Sequence, residues 1–103
     1  MQSRQKALNL LGLAERAGKI ISGQELVLVG LKAKKIKVVI LANDCHEGTS
    51  EKINRITTKS GISIISAFNS DEISHAIGKK RKVLGITDIG FYKALVQKIN
   101  EGV

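Results

Sequence analysis

Apolar residues recur along this chain in two alternating rhythms, one helical and one extended. Over residues 4–17, Leu8, Leu11 and Ala14 fall on one helical face with Leu10, Leu13 and Ala17 beside them, and Gly18 supplies a stop. Ile20, Ile21 and Ser22 then read as a short strand that breaks at Gly23 into a second helix over residues 24–35, with Leu26, Val29, Gly30 and Ala33 turned inward. Val38, Val39, Ile40, Leu41 and Ala42 are apolar without interruption, the mark of a strand covered on both faces, and this strand is expected at the centre of a sheet. Residues 43–48 form a loop, and residues 50–60 a helix with Ile53 and Ile56 inward that Gly61 ends. Residues 62–66 make the third strand. Asn69 and Glu72 have the spacing of a capping box ahead of Ile73, Ala76 and Ile77, which places a short helix over residues 70–77, closed by Gly78. The fourth strand spans residues 83–87. Asp88 stands where it can cap a last helix whose apolar stripe is Phe91, Ala94, Leu95 and Ile99.

One helix followed by four strand–helix pairs describes an α/β domain with helices on both faces of a sheet. The 103 residues contain no proline, no repeat and no linker-like stretch, so a single domain over residues 1–103 is expected. Alternation alone points to an all-parallel sheet. Function is expected in the loops at the strand ends.

Charge narrows that function. The chain carries a formal +8, and Lys32, Lys34, Lys35 and Lys37, with Lys79, Lys80, Arg81 and Lys82, account for eight of its 17 basic residues. The other nine basic residues match the nine acidic ones, so the whole excess sits in two short segments. Such a local patch favours a polyanionic partner over general solubility. The single cysteine, Cys45, excludes an intrachain disulfide, the N-terminal residues have no signal-peptide core, and no apolar run spans a membrane. A cytoplasmic protein without a membrane partner is expected.

Catalytic chemistry finds no constellation. The segment from Gly12 to Lys19 has the wrong glycine spacing for a phosphate loop and reads as helix, and Ile20 stands where that loop needs Ser or Thr. Cys45, His46 and His75 lack metal-ligand spacing, and Asn43–Asp44 has no nucleophile and base beside it. Neither an enzyme, a cofactor nor a metal site is expected. With only Phe68, Phe91 and Tyr92 aromatic, a stacking platform for single-stranded RNA is missing as well.

The strongest candidate site is the opening of the second helix. A helix N-terminus presents unpaired N–H groups and a positive dipole end to phosphate, while Gln24 and Glu25 offer donors and acceptors to base edges beside Ser22 and Gly23. Lys32 falls on the face of Glu25, Leu28 and Ile36, and Lys35 belongs to the same basic cluster. The second candidate is the run Lys79, Lys80, Arg81 and Lys82, whose adjacent cations suit phosphate and, through Arg81, a base. Taken singly, an ordinary helix turn and a solvated loop explain them as well. Acting together requires both at the same edge of the sheet.

The stretch from Ala17 to Glu25, the strand and loop from Val38 to Asp44, and Ala76-Ile77-Gly78-Lys79 together resemble the kink-turn-binding ribosomal protein family of archaeal L-seven-Ae type, within its small bacterial YlxQ-like branch. The resemblance covers nearly the whole chain. It implies a three-layer α-β-α sandwich with a four-stranded mixed sheet, in place of the parallel one. It also implies a non-enzymatic RNA-binding protein, ribosomal or ribosome-associated, that recognises a kinked or bulged structured RNA as a monomer. In that family the turn matching Ser22, Gly23, Gln24 and Glu25 enters the major groove at sheared G·A pairs, the residue matching Lys32 touches the RNA backbone, and the loop matching Lys79, Lys80 and Arg81 covers the unstacked bulge. Two departures stand out. Leu28 replaces the family's lysine, and consecutive cations replace its apolar-acidic loop, which implies a more electrostatic and salt-sensitive contact. The alternative reading is a protein-interaction module of the transcription or translation machinery, with the basic patches against an acidic protein surface.

Overall fold

The structure, a computed structural model, describes residues 2–100. Five helices and four strands follow one another as α1 (Gln2–Arg16), β1 (Ile20–Ser22), α2 (Gln24–Lys32), β2 (Val38–Leu41), α3 (Glu47–Ser60), β3 (Ser63–Ile65), α4 (Ser70–Ile77), β4 (Val83–Ile86) and α5 (Ile89–Asn100). The strands form one sheet in the order β1-β4-β2-β3. Only β2 and β3 pair in parallel, whereas β4 runs antiparallel to both β1 and β2. The sheet is therefore mixed, as the resemblance implies and not as alternation alone suggests.

Strand β2 is buried throughout and lies inside the sheet, so its side chains serve two cores in turn. Val38, Ile40 and Ala42 point to the side of α1, α4 and α5, where they meet Leu11, Phe68, Ile73, Leu84 and Leu95. Val39 and Leu41 point the other way and pack with Val27, Leu31, Ile36, Ile53 and Val83 under α2 and α3. Three layers result. Ile36 fits tightly because β4 carries Gly85 opposite it: a Cβ on that glycine would stand 2.5 Å from the Ile36 Cδ1.

The second helix departs from its predicted form in two ways. It ends at Lys32, three residues early, because Lys34 adopts φ 59 and the amides of Lys34 and Lys35 turn back onto the carbonyls of Leu31 and Gly30. Its buried residues are Val27, Gly30 and Leu31, while Leu26 and Val29 are 61% and 62% exposed and Ala33 is also exposed. Residues 26–31 are apolar all round, so nothing polar fixed the phase of that helix. Ile36 lies beyond the helix end and so cannot share a helical face with Glu25. Similarly, α1 buries Ala7, Leu11 and Ala14 and leaves Leu13 exposed, while Ala17 stands exposed in the turn beyond the helix end.

The remaining boundaries shift at caps. Helix α3 starts at Glu47, not at residue 50, because the His46 Nδ1 accepts the Gly48 amide at 3.0 Å and closes the first turn. The Asn69–Glu72 capping box is formed reciprocally at 2.8 and 2.9 Å, and Asp88 caps α5 by accepting the Phe91 amide at 2.9 Å. Strand β3 is shorter than predicted by one residue at each end.

Candidate nucleic-acid interface

The antiparallel pairing of β1 with β4 decides where the two basic segments meet. Ser22, the last residue of β1, lies opposite Leu84, so β4 begins where β1 ends and the loop ahead of it lands beside the α2 N-terminus. The Gly23 amide donates to the Val83 carbonyl at 2.9 Å and ties turn to strand directly. A Cβ on Gly23 would stand 3.9 Å from the Arg81 Nε, so the guanidinium stem passes over the turn. Gly23 itself has φ 97 and ψ 145, a conformation that side chains disfavour strongly. No side chain caps this helix, which leaves the first-turn N–H groups without intrahelical acceptors at the exposed end.

Around that turn the individual side chains are placed by different means. Glu25 is exposed. The Gln24 carbonyl oxygen accepts from the Thr49 hydroxyl of α3 at 3.3 Å, which orients the Gln24 side chain. Leu28 is half-buried against the core beneath α2 and α3, so its apolar character serves packing.

The basic loop is held from beneath. Ser74 of α4 accepts the Arg81 amide at 3.0 Å and donates to the Arg81 carbonyl at 3.1 Å, fixing the backbone on both sides of that residue. The Arg81 Nη1 donates to the Lys80 carbonyl at 2.8 Å, and the Lys79 Nζ pairs with Glu15 of α1 at 2.9 Å. Lys80 and Lys82 are exposed and have no ion-pair partner among the described residues. Lys82 also lies near Asp44, whose carboxyl is held below its usual range chiefly by the Ser70 amide and hydroxyl at 2.8 and 3.0 Å.

Of the predicted residues, Ser22, Gly23, Gln24, Glu25, Lys79, Lys80 and Arg81 thus share one sheet edge. Lys35 and Lys79 line a shallow concavity of about 380 Å³ with Ser22 and the exposed Leu26 and Val29. Lys32 does not join them. It stands at the far end of α2, about 13 Å along the helix axis, and lines another concavity with Lys34, Lys37 and Lys59. A larger hollow of about 720 Å³ between α1 and α4 involves none of the predicted site residues. Thr49, Ser74 and Glu15, which position the site, carry no sequence signal, since each meets its partner only through the fold.

Residues 5–96 match the ribosomal protein L7Ae/L30e/S12e/Gadd45 family. The chain is 45% identical over 91 residues to the RNA-binding protein YlxQ of Enterococcus faecium, covering 88% of each. It is 30% identical over 92 residues to the RNA-binding protein YlxQ of Bacillus subtilis, covering 88% of this chain and 92% of that one. Among solved structures, a protein of unknown function from Bacillus halodurans superposes with a TM-score of 0.88 at 33% identity, over 92% of this chain and 97% of the other. The Giardia lamblia 15.5kD RNA binding protein gives a TM-score of 0.79 at 14% identity over 98% and 88%, a likeness of fold.

Proposed function

This chain belongs to the ribosomal protein L7Ae/L30e/S12e/Gadd45 family, and on that premise we propose that it is an RNA-binding protein that holds a structured RNA in a kinked or bulged, kink-turn-like conformation. The observation that carries this reading is the junction of the Gly23 turn with Arg81 across β1 and β4. It gathers an open helix N-terminus, a carboxylate, an amide and a run of cations on one surface. Relatives that carry the name RNA-binding protein support it.

In the mechanism, the first turn of α2 enters the widened groove of the kink. The Glu25 carboxylate accepts from base amino groups, the Gln24 amide nitrogen donates beside it, and the α2 N–H groups face phosphate. Lys80 and Arg81 cover the unstacked bulge and neutralise the strands that the bend brings together, while Lys35 and Lys79 continue the basic rim past Ser22. Binding only the bent conformer shifts the RNA toward it by the differential affinity, with no covalent chemistry. The protein acts as a cytoplasmic monomer on ribosomal or ribosome-associated RNA in this reading.

Titration of a FRET-labelled kink-turn RNA at two salt concentrations tests it. The chain should raise transfer efficiency, more strongly at low salt. Failure to bend the RNA even at low salt would overturn the kink-turn assignment.

A further inference from the structure

A second basic surface lies at the opposite edge of the sheet. There the C-terminal ends of α2 and α3 and the start of α5 surround a concavity of about 580 Å³ with an apolar lining that includes Leu31, Ile36, Ile62 and Ile89. Lys32, Lys34, Lys37 and Lys59 line it as well, all exposed, and no carboxylate does. None of the four has an ion-pair partner among the described residues. Ile89, half exposed at the head of α5, leaves part of the apolar lining open to solvent.

Helix dipoles account for part of this pattern. Lys32 and Lys59 occupy the last turns of α2 and α3, where a cation is favoured. Lys34 is different. The left-handed residue that follows a helix is Gly18 after α1, Gly61 after α3 and Gly78 after α4, but after α2 it is Lys34, at φ 59. Glycine would make the same turn without strain, so what lysine adds at this position is its side chain.

The chemistry of the concavity selects among polyanions. RNA would satisfy the lysines, but it has no aliphatic group to cover the half-exposed Ile89 and the partly exposed Ile62 above the buried Leu31 and Ile36. A peptide segment with an apolar side chain between carboxylates satisfies both parts at once. We propose that this edge docks an acidic amphipathic segment of another protein, its apolar side chain entering the concavity and its carboxylates meeting Lys32, Lys34, Lys37 and Lys59. The surface is independent of the RNA contact, so the molecule can hold RNA at one edge and a protein at the other.

Fluorescence anisotropy of the full chain with a labelled helical peptide, in which glutamates flank a leucine–phenylalanine pair, tests the proposal. Replacing that pair by serines should weaken binding about tenfold or more, since the apolar groups lose their burial. Lys34→Gly should weaken the parent peptide about two- to fivefold, as expected for loss of one exposed charge contact, while leaving the fold at least as resistant to urea. An unlabelled kink-turn RNA should not displace the peptide. Equal binding of both peptides, displacement by the RNA, no loss on Lys34→Gly, or no binding at millimolar peptide would each overturn the proposal.

Discussion

Within the proposed RNA contact Glu25 carries the most selective chemistry, because a carboxylate among cations adds nothing to general phosphate affinity. Glu25→Ala is therefore expected to weaken an RNA with tandem G·A pairs by about 1–3 kcal/mol and to leave a plain duplex unaffected or bound slightly more tightly. Lys80→Ala should weaken both RNAs alike and reduce the salt slope by about 0.7–0.9. Anisotropy titrations over a salt series separate the two, and an equal effect of Glu25→Ala on both RNAs contradicts groove reading. The chemistry of these residues is legible because the sequence itself displays it: a glycine break, two polar groups and four consecutive cations. Lys32 shows the limit of that legibility. Helical spacing puts it on the face of Glu25, but its distance along α2 takes it to the other end of the sheet, among Lys34, Lys37 and Lys59. The contacts of Thr49, Ser74 and Glu15 with the site depend on tertiary packing that no local pattern displays.

Among the elements, α4 has the most to do for the site, since its C-terminal end leads into the basic loop and its Ser74 holds Arg81. Glu72 secures that helix twice. It closes the capping box on Asn69, and it receives Arg4 of α1 through two hydrogen bonds at 2.9 and 2.6 Å, while the Arg4 guanidinium lies 5.0 Å from the centre of the Phe68 ring. The Arg4 hydrogen bonds first, and the Asn69 amide second, hold the Glu72 carboxyl below its ordinary range. A carboxyl depressed in the folded state contributes stability above its unfolded pKa, and that contribution is lost as pH falls through the folded value. Glu72→Gln, which preserves the cap, should cost about 0.5–1 kcal/mol at neutral pH and flatten the loss of stability between neutral and acidic pH, as read by urea unfolding. An undiminished acid sensitivity in the variant would assign it to other carboxylates. The capping box was visible from spacing alone, whereas the Arg4 contact, 68 residues away, was not. Helix α2 illustrates the opposite difficulty: its existence was plain, but six successive positions without a polar residue left its inward face undetermined.

At the scale of the whole molecule, strand direction is what makes one surface out of two segments. Were β4 parallel to β1, the Lys79–Lys82 loop would sit beside Ile20, at the edge where Lys34 and Lys59 stand. Hydrophobic periodicity is blind to that choice, since a strand buried on both faces has the same pattern in either direction, and the family resemblance supplied the mixed sheet. The antiparallel pairing then separates the excess charge onto two edges, one opening on a helix N-terminus and one on an apolar hollow. The central claim is that the first of these edges acts as a single RNA surface. Amide NMR spectra of the isotope-labelled chain, titrated with a kink-turn RNA, test it most directly. Resonances of Ser22, Gly23, Gln24 and Glu25 should move together with those of Lys79, Lys80, Arg81 and Lys82, while those of Lys34, Lys37 and Lys59 stay in place. Shifts confined to the Lys34 edge, or movement of one segment without the other, would contradict it.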